Sequence, residues 1–149
     1  MTTKHSKFFL NKMIVGVGTD LIYTSRIGNL IFKFKEKFEE RIFSENEIKK
    51  ARQLKCSAEE NSPRIKFYAK RFAAKEAFSK ALGLGIGRAI DFKDVEIDND
   101  VLGKPFIRIL NNKEEFIKNH FNCQNFTIHL SLSDEKNIAS AFVVIEKIL

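Results

Sequence analysis

The chain has 149 residues, of which 44% are hydrophobic and 30% charged, and it carries a formal net charge of +7. Such a length and balance are typical of one globular domain and exclude a fibrous or wholly disordered chain. The positive charge favours an anionic partner, and nucleic acid, an acidic protein or a phosphorylated cofactor would each meet that requirement.

Cysteine use and hydropathy together indicate the compartment. Cys56 and Cys123 have neither the spacing of metal ligands nor the pattern of a disulfide framework. No apolar run reaches the roughly 20 residues that span a bilayer, and the basic N-terminal segment lacks the apolar core of a secretion signal. We therefore expect a cytoplasmic protein with no membrane association. Residues 1–12 are predicted to be a loose extension, and residues 13–149 a single domain.

The first part of that domain is predicted to be a strand followed by a helix. Residues 13–21, "MIVGVGTDL", are typical of a short buried strand that ends in a glycine-rich turn. Thr24 or Ser25 can cap the next helix, in which apolar residues recur at helical spacing from Ile27 to Phe34.

Two more helices are predicted before the middle of the chain. Ser44 and Glu47 have the spacing of a capping box, which predicts a helix that ends near residue 54. The polar segment 55–63 ends in proline and is predicted to be a mobile surface loop. A long helix should then cover residues 64–82, because Gly83 and the glycines beyond it would stop it.

The C-terminal half is predicted to be rich in strands. Apolar runs at 92–97 and 105–110 flank a turn-forming segment, and a short helix is expected near 113–120. Residues 126–133 and 139–145 have the pattern of a hairpin around "SDEKN". With no repeat and no linker in the sequence, these elements predict an α+β fold in one domain.

Two glycine-rich motifs resemble phosphate-binding loops but fail the spacing test. In "GVGTD" the third glycine of a dinucleotide fingerprint would fall on Leu21, and "GLGIG" at 83–87 follows a helix instead of opening one. Turn geometry is the alternative explanation for both motifs. Asp20 stands just past Gly16 and Gly18, where it is either a ligand-binding acid or a helix-start residue.

Glu76 is the sole carboxylate in a long helix that is otherwise apolar, small or basic. It could form a weak solvent-exposed ion pair with Lys80, one helical turn away. Ala73 and Ala77 instead suggest a packed face, where a carboxylate needs a cation. Mg²⁺ is held by one or two carboxylates together with substrate phosphates, and Asp20 with Glu76 would supply them. Three basic residues would then surround the phosphates: Arg71, Lys75 and Lys80.

His129 lies in "FTIHLSLSD", where strict alternation places it on the polar face of a strand with Ser131 and Ser133. That face either meets solvent or presents the histidine to a phosphate or another part of a substrate. The pattern alone leaves both possibilities open.

Several segments together resemble one enzyme family. "VGVGTDLIYTSRI", "FYAKRFAAKEAFSKALGLGIG", "VEI", "GKPFI" and "IHLSLSDEKNIASAFVVIE" follow one another in the order and spacing of the holo-acyl-carrier-protein synthases. This is the small, bacterial-type branch of the 4′-phosphopantetheinyl transferases. The resemblance spans Met13 to Ile145, and its most specific part is the long-helix motif. It implies an α+β fold in which an antiparallel-rich sheet packs on a long helix, and a homotrimer with active sites between subunits.

The resemblance also implies a reaction and its participants. The family moves the 4′-phosphopantetheine group of coenzyme A to a serine of apo acyl carrier protein in fatty acid biosynthesis, and releases adenosine 3′,5′-bisphosphate. Asp20 and Glu76 match its magnesium ligands, and Lys80 matches the lysine that contacts the phosphates. Arg26 matches a basic position that faces the acidic carrier protein. The positions expected to bind coenzyme A are Arg71, Lys75, Lys80, Gly83, Pro105 and His129.

One departure from the family pattern concerns a second histidine, which many members have where this chain has Asp134. No role is carried over to that position. The acceptor of the serine proton also stays open: Glu76, or a metal-bound water or hydroxide beside it, could take it, with His129 a weaker candidate.

Two other interpretations are disfavoured by the sequence. A nucleic-acid-binding domain would alternate basic and aromatic residues along strands, whereas lysine and phenylalanine here fall largely on helices. An inactive relative would be expected to have lost catalytic residues, yet Asp20, Glu76, Lys80 and His129 are all present.

Overall fold

The computed structural model describes residues 11–59 and 61–149. The predicted extension therefore lies outside the described residues except for its last two positions. The elements in chain order are β1 (Lys12–Tyr23), α1 (Thr24–Phe34), α2 (Glu36–Ile42), α3 (Glu45–Arg52), α4 (Pro63–Leu82), a 3₁₀ helix (Phe92–Asp94), β2 (Val95–Asn99), β3 (Pro105–Ile109), α5 (Glu114–Phe121), β4 (Asn125–Glu135) and β5 (Ile138–Ile148). No helix in the described part of the chain is long and apolar enough to cross a bilayer.

The strands form two antiparallel sheets beside the long helix α4. One sheet has the order β1-β5-β4, and the other consists of β2 and β3. The predicted α+β class and the predicted hairpin of β4 and β5 are confirmed. The pairing of β1 with β5 joins the two ends of the domain, with Asp20 opposite Ala141. Helix α4 packs mainly on β1 and β5.

Two glycines of β1 allow α4 to approach the sheet closely. A Cβ on Gly18 would lie 1.9 Å from the carbonyl oxygen of Ala77, and one on Gly16 would lie 2.0 Å from that of Ala81. No side chain fits at such distances, so only glycine permits this contact. The prediction of a turn at these glycines was wrong, because both lie inside the strand and their role is close packing.

The opposite face of the same sheet is exposed and partly apolar, so the prediction that β1 is a buried strand holds for only one of its faces. Val17 is 55% exposed, Leu21 60% and Phe142 48%. Strand alternation places these three side chains away from α4, while Gly18 and Ala141 face it. The sheet thus has a packed inner face and a bare outer face.

Helix α4 confirms the prediction for residues 64–82. Pro63 occupies its first turn, and Gly83 ends it in the left-handed conformation with φ of 72°. The helix is buried on nearly all sides, because the sheet, α1, α3 and β2 all pack against it. The segment before it has no helix or strand among its described residues, as the loop prediction required.

The helices between β1 and α4 differ in part from the prediction. Thr24 is not a cap but the first residue of α1, and its buried hydroxyl donates to the carbonyl of Asn137 at 3.1 Å. The capping box of Ser44 and Glu47 is confirmed at the start of α3. Helix α2 was not predicted, and Lys35 separates it from α1 with φ of 50°.

Candidate active site

Asp20 and Lys80 meet where the inner face of β1 contacts α4. The Nζ of Lys80 lies 2.8 Å from Oδ1 of Asp20 and donates to the carbonyl of Thr19 at 2.9 Å. The Asp20 side chain is largely buried, with 16% exposed, whereas that of Lys80 is 54% exposed. The lysine therefore spans from the acid to the solvent, where it can reach a bound anion.

Glu76 lies beside this pair, one helical turn before Lys80. It is half-buried, and burial together with the charge of Asp20 raises the pKa of the Glu76 carboxyl. Lys80 and Arg26 act in the opposite direction and lower the pKa of that carboxyl. Asp20 and Glu76, the two carboxylates predicted to hold a magnesium ion, are therefore close enough to interact.

The two carboxylates have the chemistry of a magnesium site completed by a ligand. Among the described residues no group of three or more His, Cys, Asp or Glu side chains could hold a metal alone. Mg²⁺ does not require three protein ligands, since it binds one or two carboxylates together with phosphates and waters. A half-buried acid with a raised pKa next to a second acid would also gain from a cation. Asp20 and Glu76 therefore fit the ion.

A surface depression of about 480 Å³ adjoins this cluster. The end of α4, the glycine-rich segment that follows it, and Phe92 line the depression. Ser79 donates to the carbonyl of Leu84 at 2.6 Å, which folds that segment back against the helix. Its lining residues are Glu76, Ser79, Lys80, Gly83, Leu84, Gly85, Ile86 and Phe92. Gly83, one of the positions predicted to bind coenzyme A, is thus among the lining residues.

Arg71 lies further back on α4, near the hairpin of β2 and β3. Its guanidinium stacks on Phe67, 3.4 Å from the ring centroid, and its Nη2 donates to Asn99 at 3.1 Å. Asn99 is paired with Pro105 across that hairpin, so the two predicted cofactor-binding positions are near each other. Burial lowers the pKa of Arg71 to about 10. Its Nε is buried without a hydrogen-bond partner among the described residues.

Lys75 does not join the other basic residues. Its side chain is fully buried, and its Nζ contacts the Glu47 carboxylate at 2.8 Å. Burial lowers the pKa of Lys75, although Glu47 raises it in part. An ammonium enclosed in this way has no path to a phosphate in the depression. The prediction that Lys75 lies in the cofactor site was therefore wrong. The charge pattern of the sequence does not show which faces of α4 are covered.

His129 lies on the outer face of the sheet. It is paired with Val144 of β5, its side chain is 54% exposed, and its Nε2 is 3.5 Å from a Glu146 oxygen. Asp20 belongs to the inner face, so a single chain holds His129 and the acid cluster on opposite sides of the sheet. Within one chain, His129 therefore lies on an exposed strand face and away from Asp20.

Two remaining positions lie at the edges of the site. Arg26 is exposed in the first turn of α1, close enough to Glu76 to lower the pKa of that acid. Asp134, which replaces the family's second histidine, lies 3.1 Å from the Nζ of Lys70 and 3.7 Å from that of Lys66. The carboxylate thus ties the end of β4 to α4.

Sequence reasoning missed Phe92 as part of the site. It had assigned this residue to a strand, whereas Phe92 begins a 3₁₀ helix and forms one wall of the depression. Its ring stacks on Phe72 of α4, with 5.6 Å between centroids. The sequence did contain a signal for this helical turn, because Asp91 and Asp94 have the spacing of a reciprocal cap.

Comparison with known proteins identifies the class to which this combination of fold and acid–lysine cluster belongs. Residues 16–142 match the model of the 4′-phosphopantetheinyl transferase superfamily, and the chain belongs to this superfamily. It is 47% identical over 133 residues to a holo-(acyl-carrier-protein) synthase of Wolbachia sp. subsp. Drosophila simulans (strain wRi), covering 89% of this chain and 98% of that relative. The family resemblance of the sequence motifs is therefore confirmed.

Solved structures of similar proteins agree with the fold. A holo-(acyl-carrier-protein) synthase from Bacillus anthracis str. Ames, in complex with CoA (3′,5′-ADP), has a TM-score of 0.72 and 41% identity over 91% of this chain and 98% of its own. The holo-(acyl-carrier-protein) synthase from Neisseria meningitidis has a TM-score of 0.77 and 37% identity, over 91% of this chain and 100% of its own.

Proposed function

We propose that this chain transfers the 4′-phosphopantetheine group of coenzyme A to a serine of apo acyl carrier protein. The products are holo acyl carrier protein and adenosine 3′,5′-bisphosphate, and the reaction would serve fatty acid biosynthesis in the cytoplasm. The observation that carries the proposal is the cluster of Asp20, Lys80 and Glu76 beside the depression. The names of the relatives and the coenzyme A complex of the Bacillus anthracis protein support it.

The cluster suits an attack on a pyrophosphate. The serine oxygen forms a bond to the β-phosphorus, the bond from that phosphorus to adenosine 3′,5′-bisphosphate breaks, and the serine loses its proton. A bound Mg²⁺, held by Asp20 and Glu76, would neutralise charge on the phosphate oxygens. The exposed ammonium of Lys80 stabilises the charge that develops on the leaving phosphate.

Coenzyme A would occupy the depression and continue toward Arg71. The pyrophosphate lies near Lys80, and the wall of Gly83 and Phe92 borders the rest of the molecule. Arg71 and Pro105 extend the binding surface at the hairpin of β2 and β3. The positive charge of Arg71, close to the hairpin of β2 and β3, would attract the anionic groups of coenzyme A.

Glu76 is the chain's best-placed acceptor for the serine proton. It borders the depression directly, and a carboxylate oxygen that is not bound to the ion could take the proton. His129 of the same chain is on the other face of the sheet and could act only from a neighbouring copy.

Arg26 would hold the acidic carrier protein. It is exposed at the start of α1 next to Glu76, so a carrier bound to it would bring its serine near the acid cluster. The net charge of +7 favours the encounter with an acidic partner.

The bare outer face of the sheet would assemble the chain into a homotrimer. Exposed Val17, Leu21 and Phe142 form an apolar surface there, and such patches mark protein interfaces. His129 projects from the same face, which would deliver it to the acid cluster of an adjacent copy. Residues 13–149 would act as the single domain of each subunit.

Mass spectrometry tests the proposed reaction. Apo acyl carrier protein is incubated with this chain, coenzyme A and Mg²⁺, and its mass should rise by about 340 Da, the mass of one phosphopantetheine. Omission of coenzyme A, or chelation of Mg²⁺, should abolish the shift. An unmodified carrier serine at high enzyme concentration, with a folded enzyme, would contradict the proposal.

A further inference from the structure

Lys75 is a fully buried lysine that binds three separate segments of the chain. Its Nζ donates to the Glu47 carboxylate and to the carbonyl of Ile42, each at 2.8 Å, and to the carbonyl of Phe92 at 3.0 Å. These acceptors belong to α3, to the end of α2 and to the 3₁₀ helix. An ammonium has three protons, and each one has an acceptor here.

Glu47 is also fully buried, and both of its carboxylate oxygens accept hydrogen bonds. One carboxylate oxygen accepts from Lys75 and from the backbone nitrogen of Ser44, and the other accepts from the backbone nitrogen of Ile97 at 2.9 Å. The pair thus fixes α4, α3 and β2 to one another. Burying two charges costs desolvation energy, and an apolar pair of similar volume is often as stable. Stability alone therefore does not account for this arrangement.

The link to Phe92 connects the buried pair to the candidate site. Lys75 holds the backbone of Phe92, whose ring stacks on Phe72 and forms a wall of the depression. Glu76, the residue that follows Lys75 on α4, also lines the depression. One ammonium therefore joins the helix that bears Glu76 to the Phe92 segment, and both line the depression.

We propose that Lys75, held by Glu47, is a positioning residue that sets the Phe92 wall of the coenzyme A site. This inference rests on the proposed function, because it assigns coenzyme A to the depression. Loss of the Lys75 contact would let the Phe92 segment move away from the helix. Asp20, Glu76 and Lys80 would keep their places, because the close packing of β1 on α4 holds them independently. Coenzyme A binding should then weaken while turnover at saturation changes little.

The test replaces the ion pair by a neutral pair. Lys75→Met alone would leave the Glu47 charge buried without its partner and could unfold the chain, so the informative variant is Lys75→Met with Glu47→Gln. For this variant the KM for coenzyme A should rise about tenfold and kcat should change less than about threefold. The dissociation constant of coenzyme A, measured by calorimetry, should rise by the same factor as KM. Thermal unfolding by circular dichroism verifies that the variant is folded at the assay temperature.

Two further variants separate positioning from general loosening. Tyr68→Phe removes another buried hydrogen bond of α4, the one from the Tyr68 hydroxyl to Glu39 at 2.8 Å, and should leave KM unchanged. Phe92→Ala removes the wall itself and should raise KM by a similar factor. Combining it with the neutral pair should add little, because both changes act on the same wall.

Each outcome bears on a definite claim. A folded neutral-pair variant with the wild-type KM, a wild-type KM in Phe92→Ala, or an equal rise of KM in Tyr68→Phe would overturn the positioning role. In all three cases the proposed function would still stand if the wild-type chain transfers phosphopantetheine to the carrier. A folded wild-type chain that neither binds coenzyme A nor modifies the carrier would overturn both proposals.

Discussion

Lys80 contacts Asp20 across the boundary between α4 and β1, with 2.8 Å between Nζ and Oδ1. It does so although Glu76 lies one turn away on its own helix, at the spacing where an ion pair along the helix is expected. The lysine thus joins two elements that are distant in sequence. Glu76 is left half-buried beside a like charge, which is the arrangement expected of a metal ligand rather than of a surface ion pair.

Glu76→Gln should abolish transfer while preserving the fold. The amide keeps the size of the side chain but removes a negative charge that Mg²⁺ and the serine proton require. We expect the rate of carrier modification, measured by mass spectrometry, to fall by about 100-fold or more. Glu135→Gln, at the exposed end of β4, is the matched control and should retain activity. Wild-type rates in Glu76→Gln with an intact circular dichroism spectrum would exclude the acid from the site.

The same substitution should stabilise the protein without metal at neutral pH. Folding raises the pKa of the Glu76 carboxyl, mainly by burial, so the folded state binds its proton more tightly than the unfolded state. The contribution of this group to stability therefore decreases as the pH rises from the unfolded pKa through the folded one. Glu76→Gln should melt higher than wild type at pH 7.5, and the two should converge near pH 4. Added Mg²⁺ should raise the melting temperature of wild type more than that of the variant.

Gly18→Ala should move α4 away from β1. The added Cβ would meet the Ala77 carbonyl oxygen at 1.9 Å and the Ala81 nitrogen at 2.6 Å, so backbone must shift. Overpacking of this kind costs about 1–3 kcal/mol, and it would separate Asp20 from Lys80. Chemical denaturation and transfer assays should both report a loss. Gly85→Ala is the control for stability, because a Cβ there has no neighbour within 4 Å.

Lys35→Gly should stabilise the junction of α1 and α2. Lys35 has φ of 50° and ψ of −131°, a conformation that glycine adopts without strain and lysine does not. Relief of about 1–3 kcal/mol of strain exceeds the entropy that glycine adds to the unfolded chain, so the free energy of unfolding should rise by about 1 kcal/mol. Glu40→Gly, in the exposed interior of α2, should lower it by about 1 kcal/mol. A decrease in both variants would mean that Lys35 is unstrained.

Local signals in the sequence predicted local structure well. The capping box at Ser44, the glycine stop at Gly83 and the hairpin of β4 and β5 each depend on neighbouring residues, and each was correct. The pairing of β1 with β5 joins distant segments, so no local pattern could reveal it. Helix α2 escaped prediction because it begins after a lysine in a conformation that favours glycine.

The candidate site was predictable only in part, for a similar reason. Glu76 and Lys80 share a helix face that points to Asp20, while Lys75 is rotated by about 100° onto another face. Because α4 is covered on nearly all sides, its apolar pattern does not distinguish the site face from the core faces. Charge alone therefore grouped Lys75 with Lys80, although one is fully buried and the other 54% exposed.

Arg26→Glu should weaken binding of the carrier protein and leave coenzyme A binding nearly unchanged. Reversal of an exposed charge at the rim slows association with an acidic partner and reduces its salt dependence. Surface plasmon resonance at several salt concentrations would measure both effects. Lys49→Glu, an equal charge change at an exposed position on α3, should have a smaller effect. The prediction fails if carrier binding is unaltered while coenzyme A binding collapses.

Mixing two inactive variants should restore activity if sites form between copies of the chain. Asp20 and Glu76 lie at the inner face of the sheet, and His129 lies on the outer face with the exposed Leu21 and Phe142. A ring of three copies would bring the outer face of one subunit to the acid cluster of the next. Glu76→Gln and His129→Ala are each expected to be inactive alone. After subunit exchange at equal amounts, about one quarter of the sites would combine an intact Glu76 with an intact His129.

The oligomeric state decides how that result is interpreted. Light scattering should give a mass near three times the 17.2 kDa of one chain. Leu21→Glu, which places a charge on the apolar outer face, should dissociate the assembly and lower activity even though the acid cluster is untouched. Verified exchange without recovered activity would contradict a site that combines Glu76 of one subunit with His129 of the next. A fully active monomer would refute the shared site altogether, because Glu76 and His129 of one chain lie on opposite faces of the sheet and such a monomer would act without a neighbour's His129.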